Sequence, residues 1–130
     1  MSTRAQVRFA TREEGVSFSE HPNAIHAQFY VHYDGYPEGL GVDIANSILN
    51  HTHPEGRAWE IESLDARHGD LEYIYYIWQA PEKSTWISIF KVDGKFCEYS
   101  DKYFETTECI FVGEPSNLIN KYKINTNANG

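Results

Sequence analysis

With 130 residues, of which 41% are hydrophobic and 23% charged, the chain has apolar mass for one core and too little for two. Its formal net charge of −8 is the reverse of the basic stripe that displaces counterions from a nucleic-acid backbone, so duplex binding is disfavoured. Two cysteines without CxxC spacing, Cys97 and Cys109, make no disulfide framework and no apolar run is long enough for a membrane span, so a cytoplasmic protein with no membrane partner is expected.

Thr3 to Ala10 alternates as a strand does, with Ala5, Val7 and Phe9 on one side and Arg4, Gln6 and Arg8 on the other. Residues 11–24, which include Gly15 and Pro22, read as a long polar hairpin loop. Ile25 to Tyr33 alternates again: Ile25, Ala27, Phe29, Val31 and Tyr33 face inward, and His26, Gln28, Tyr30 and His32 face the other way. Asp34-Gly35-Tyr36-Pro37 is turn chemistry, since Asp bonds its own downstream backbone, Gly frees φ and Pro favours the first turn of a helix.

A helix is predicted over about 38–50, with Leu40, Ile44, Ile48 and Leu49 as its buried stripe. Residues 57–65 are ambiguous, with a short strand as one reading. Leu71 to Ala80 and Thr85 to Val92 have strand composition, and Asp93-Gly94 is a two-residue hairpin signal leading into Lys95 to Tyr99. Cys109 to Val112 predicts a short strand and Pro115 to Tyr122 a short helix, leaving residues 1–124 as one domain and 125–130 as a flexible tail. The expected class is α+β: an antiparallel sheet of five or six strands, one main helix on one face, and the other face at least partly open.

If the first two strands pair, Arg4, Gln6 and Arg8 lie beside the row His26, Gln28, Tyr30, His32, with Asp34 extending it. Arginines offer planar donor forks to phosphate or carboxylate, and tyrosines such as Tyr30 and Tyr36 stack on bases. The candidate ligand-binding set is therefore Arg4, Arg8, His26, Tyr30, His32, Asp34 and Tyr36, for a small anionic or nucleotide ligand. The competing reading is the solvated side of an amphipathic hairpin.

His32 with Asp34 also suggests an acid–base pair, and hence an alternative reading as a small hydrolase or phosphodiesterase. No nucleophile completes it, and G-x-S-x-G, H-E-x-x-H and P-loop motifs are absent. Of six histidines only His51 and His53 are closely spaced, so no metal or cofactor is implied. Acidic residues such as Asp43, Glu60, Glu62 and Glu72 suit a basic protein partner, and an aromatic-rich sheet leaves a homodimer open.

The segments Met1-Ser2-Thr3-Arg4-Ala5, Tyr30 to Gly39 (YVHYDGYPEG) and Arg67 to Tyr73 (RHGDLEY) resemble a family of small, mostly uncharacterised proteins of tailed bacteriophages, prophages and bacteria. Members often begin M-[A/S]-T-R and carry x-H-[W/Y]-D-G-Y before a helix; here Tyr33 stands where many have Trp. No settled activity comes with that resemblance. It implies a phage or mobile-element accessory protein that acts by binding, as a counter-defence protein that sequesters a nucleotide signal or blocks a host protein, with a virion structural or assembly role as a further alternative.

Overall fold

The structure, a computed structural model, describes residues 3–122 except 14, 16, 23, 53–58, 67, 69–70, 81 and 98–101, with backbone alone for 93–97 and 102–106. The elements in chain order are β1 (Arg4–Thr11), β2 (Ala24–Val31), a π-helical turn Pro37–Gly41 running into α1 (Val42–Asn50), β3 (Trp59–Glu62), β4 (Leu71–Gln79), β5 (Thr85–Cys97), β6 (Lys102–Gly113) and α2 (Pro115–Tyr122). The six strands form one sheet in the order β3-β2-β1-β4-β5-β6. This is the expected α+β class, with two helices packed on a mixed, mostly antiparallel sheet.

The departure from a wholly antiparallel sheet lies at its centre, where β1 and β4 run parallel. A parallel pair needs a long crossover and cover on both faces. The chain supplies the crossover through α1 and β3. β4 is apolar on both sides: Tyr73, Tyr75 and Ile77 pack with the first core, and Ile74, Tyr76 and Trp78 with the second.

On the first face Leu40, Ile44 and Ala45 of the helical segment and Leu118 of α2 cover Ala5, Val7, Val31, Tyr75, Ile87 and Ile89. Pro37 occupies the first turn of the helical segment, and Tyr36 before it is extended at φ −72 and ψ 156, as a residue preceding proline must be. His51 ends α1 in the left-handed region at φ 55, and Thr52 N–H returns to Ser47 C=O at 3.0 Å to satisfy the last turn.

Gly35 is pinned to the sheet. Its N–H donates to Thr3 C=O at 2.9 Å, its C=O accepts from Tyr75 Oη at 2.6 Å, and a Cβ there would stand 2.8 Å from that of Ala5. Only glycine allows that approach.

The second face is not open. The β1–β2 loop and the segment after β3 roof it, each held by a few rings: Phe18 lies 5.5 Å from both Trp78 and Trp86, His21 stacks on Phe90 at 3.8 Å, and His68 on Tyr30 at 3.8 Å. A loop read as polar from its composition thus acts as the lid of a second core. Three further expectations are corrected. Leu49, expected in the buried stripe of the helix, is 49% exposed, and Ala45 takes the buried place instead. Tyr33 is 60% exposed, because β2 ends at Val31. No reversal occurs at Asp93-Gly94, where β5 runs straight through and opposes Thr106 and Glu105 of β6; long-range pairing overrides a local turn preference. Among the described residues no helix is long and apolar enough to cross a membrane.

Candidate functional site

The β1–β2 register sets Gln6 opposite Tyr30 and Arg8 opposite Gln28, so the two polar rows do lie side by side. They do not face water: Gln6, Arg8, Gln28 and Tyr30 are all buried. The rows break at a bulge. Phe9 opposes Ala27 but Ala10 opposes Ile25, which makes His26 the extra residue and reverses the side-chain parity beyond it. Ile25 consequently packs on the second core, while exposed His26 bonds Thr11 Oγ1 at 2.6 Å.

His32 is half-exposed and its Nε2 meets Glu60 Oε1 at 3.0 Å; Asp34 is not its partner. Asp34 is an exposed turn residue at φ 53, and its carbonyl, like that of Tyr36, accepts from Leu40 N–H. Arg4 begins β1, partly exposed, opposite Leu71 of β4. Of the predicted set, Arg8 and Tyr30 are thus brought under the roof, His32 lies beside Tyr30 with its ring 4.5 Å away, Arg4 stays partly exposed at the start of β1, Asp34 and Tyr36 build the turn, and His26 stands apart.

Under the roof one polar network crosses the sheet. Glu62 Oε1 accepts from Gln6 Nε2 at 2.7 Å and Gln28 Nε2 at 2.9 Å, and Glu62 Oε2 lies 2.7 Å from His68 Nε2. Arg8 Nη2 donates to Gln6 Oε1 at 2.8 Å and Arg8 Nη1 to Tyr76 Oη at 2.6 Å. Tyr76 Oη is 2.7 Å from His21 Nδ1, and His21 Nε2 is 2.7 Å from Thr107 Oγ1. Desolvation alone would raise the Glu62 pKa, but the hydrogen bonds from His68, Gln6 and Gln28 outweigh it and hold the carboxyl below its usual range. Burial, helped by the charges of Arg8 and Arg12, pushes the His21 pKa down, so His21 is neutral at neutral pH.

The two arginines are the anomaly. Arg8 is only 7% exposed, meets no carboxylate among the described residues, and its Nε has no partner. Arg12 lies over the Trp78 ring at 4.3 Å. Its Nη1 donates to the carbonyls of Ser17 and Glu20, while Nε and Nη2 are buried and unpartnered. Those two nitrogens share one edge of the guanidinium, the fork whose parallel N–H bonds match a carboxylate or phosphate. Burial lowers the Arg12 pKa, against opposing contributions from Cys109, Glu20 and Tyr76.

Arg12, His21, Gln28, Glu62, His68 and Tyr76 were not in the predicted set. The available signal was the two-sided apolar pattern of β4, which announces cover on both faces. Among the described residues no group of three or more His, Cys, Asp or Glu is arranged to hold a metal ion. No protein-family model, curated protein or solved structure matches the chain.

Proposed function

We propose that this protein acts by binding rather than catalysis, and that it takes a small anionic ligand of the nucleotide class on the second face of its sheet, at Arg8 and Arg12. One observation carries the reading: three guanidinium nitrogens of these residues, Arg8 Nε and Arg12 Nε and Nη2, are buried without acceptors. A buried cationic donor left unpaired costs about 1–3 kcal/mol or more, and a phosphate oxygen relieves that cost. The rings of Phe18 and Trp78 beside Arg12, with Trp86 against both, supply stacking surface for a base.

The roof that the β1–β2 loop forms has to lift for a ligand to enter, because the unpaired donors are closed off from solvent in this conformation. Combined with the phage-family resemblance, the function proposed is sequestration of a nucleotide signal by a counter-defence protein. The hydrolase alternative draws no support from Asp34, which does not touch His32.

Calorimetry of the purified protein against cyclic and linear nucleotides tests this. Binding is expected, with the ligand recovered intact. Arg12→Lys keeps the charge but removes the fork, and should weaken binding about tenfold or more. No heat with any nucleotide, or undiminished binding in Arg12→Lys, refutes the site.

A further inference from the structure

The first face holds a separate feature. Between α1 and the β1, β3 and β4 side of the sheet lies a cavity of about 260 Å³. Its walls are apolar: Ile44 and Ile48 of α1 face Phe9, Trp59 and Ile77 of the sheet. It exceeds the roughly 150 Å³ of a core cavity that holds one benzene ring.

Two observations distinguish it from a simple packing fault. The first is its aromatic wall. Phe9 and Trp59 line it, and both meet Phe29, edge-on at 5.8 Å for Phe9 and at 5.7 Å for Trp59, so two rings held by a third offer a side suited to another planar ring. The second is a stranded donor. Trp59 Nε1 is buried and has no hydrogen-bond partner, although a buried indole N–H ordinarily finds one.

The cavity's hydroxyls do not resolve this. Ser47 Oγ donates to Asp43 C=O at 2.8 Å, as serines on helices do, and the Thr52 hydroxyl is not bonded to the indole. Phe9, 37% exposed, stands at the solvent side and marks a way in.

We infer that this cavity is a binding site for a small, uncharged aromatic molecule carrying one hydrogen-bond acceptor, which Trp59 Nε1 engages. A charged ligand is disfavoured because no charged side chain among the described residues lines the cavity and burying an unpaired ion is prohibitive. A protein segment is disfavoured because a single apolar hole with one donor offers none of the repeated backbone partners that an extended chain needs. The site is independent of Arg8 and Arg12, which lie on the opposite face of the sheet.

The test uses two probes of equal heavy-atom count, acetophenone with a carbonyl acceptor and isopropylbenzene without one. Each is titrated into ¹⁵N-labelled full-length protein while the three tryptophan indole N–H resonances are followed. The Trp59 resonance is the one lost in Trp59→Phe.

Acetophenone is expected to bind at roughly millimolar strength, to shift the Trp59 indole resonance downfield, and to bind about threefold to tenfold more tightly than isopropylbenzene. Trp59→Phe should erase that preference while both probes still bind, and Ile48→Phe, which fills the cavity, should abolish both. The inference is overturned if neither probe binds, if the two bind equally to the native chain, if the preference survives Trp59→Phe, or if binding leaves the Trp59 resonance unmoved.

Discussion

Glu62 is the hinge of the polar network, and its replacement by leucine has a cost that can be worked out bond by bond. The carboxylate accepts from two buried amides and faces the His68 imidazole, and its side chain is only 13% exposed. Three hydrogen bonds to an ionised acceptor are worth about 1.5–3 kcal/mol each at most. The amides, however, keep other acceptors: Gln6 Nε2 retains Ala66 C=O at 3.2 Å, and Gln28 Nε2 retains the carbonyls of Ser63 at 3.1 Å and Ala66 at 3.3 Å. Leucine also recovers some apolar burial. The net loss for Glu62→Leu is therefore about 3 kcal/mol, or on the order of 10 °C in Tm for a domain of this size.

Urea unfolding at pH 7, with the m-value checked for constancy, measures that loss. Ile61→Thr is the control, since Ile61 on the same strand is 75% exposed and should change stability by less than about 0.5 kcal/mol. A pH series adds a second arm. The folded-state pKa of Glu62 lies below its ordinary value, so its stabilisation is complete above the unfolded carboxylate pKa and is lost as pH falls through the folded one. The gap between the native chain and Glu62→Gln must therefore narrow below about pH 4.5. A Glu62→Leu loss under about 0.5 kcal/mol at pH 7, or a gap that does not change down to pH 3, refutes the network as a source of stability.

His21, held neutral by burial beside Arg8 and Arg12, should titrate below 6.5 in an NMR pH series; its contribution to stability is present above the unfolded pKa and lost as pH falls toward the folded one. Tyr76→Phe removes the hydroxyl shared by Arg8 and His21 and should cost about 2 kcal/mol in chemical denaturation; no measurable loss would contradict the geometry. Gly35→Ala forces a Cβ to within 2.8 Å of Ala5 Cβ and 2.9 Å of Thr3 C=O and should lower stability by about 2 kcal/mol or more. His51→Gly should raise stability by a few tenths of a kcal/mol to about 1 kcal/mol, because φ 55 suits glycine; a lower Tm would count against the helix end described.

Local chemistry in the sequence determined much of the scaffold. Period-two alternation specified β1 and β2, the apolar stripe of Leu40 and Ile44 specified the long helix, and Pro115 to Tyr122 was legible as α2. Asp34-Gly35 marked its turn because backbone freedom belongs to the residue itself. The side-by-side placement of the Arg and Tyr rows followed from period and pairing alone.

Three things belonged to the tertiary structure. Parallel pairing of β1 with β4 depends on residues that are remote in sequence. The bulge at Phe9/Ala10 moved His26 out of its row, since one extra residue reverses every side chain beyond it. The roof turned an expected solvent face into a buried network, because burial of Arg8 and Gln6 depends on Phe18, His21 and His68 finding rings on strands far from them in sequence. Periodicity is a property of neighbours along the chain and can be read there; register and cover are properties of neighbours in space, and only the fold decided that the arginines would be buried with donors unpaired.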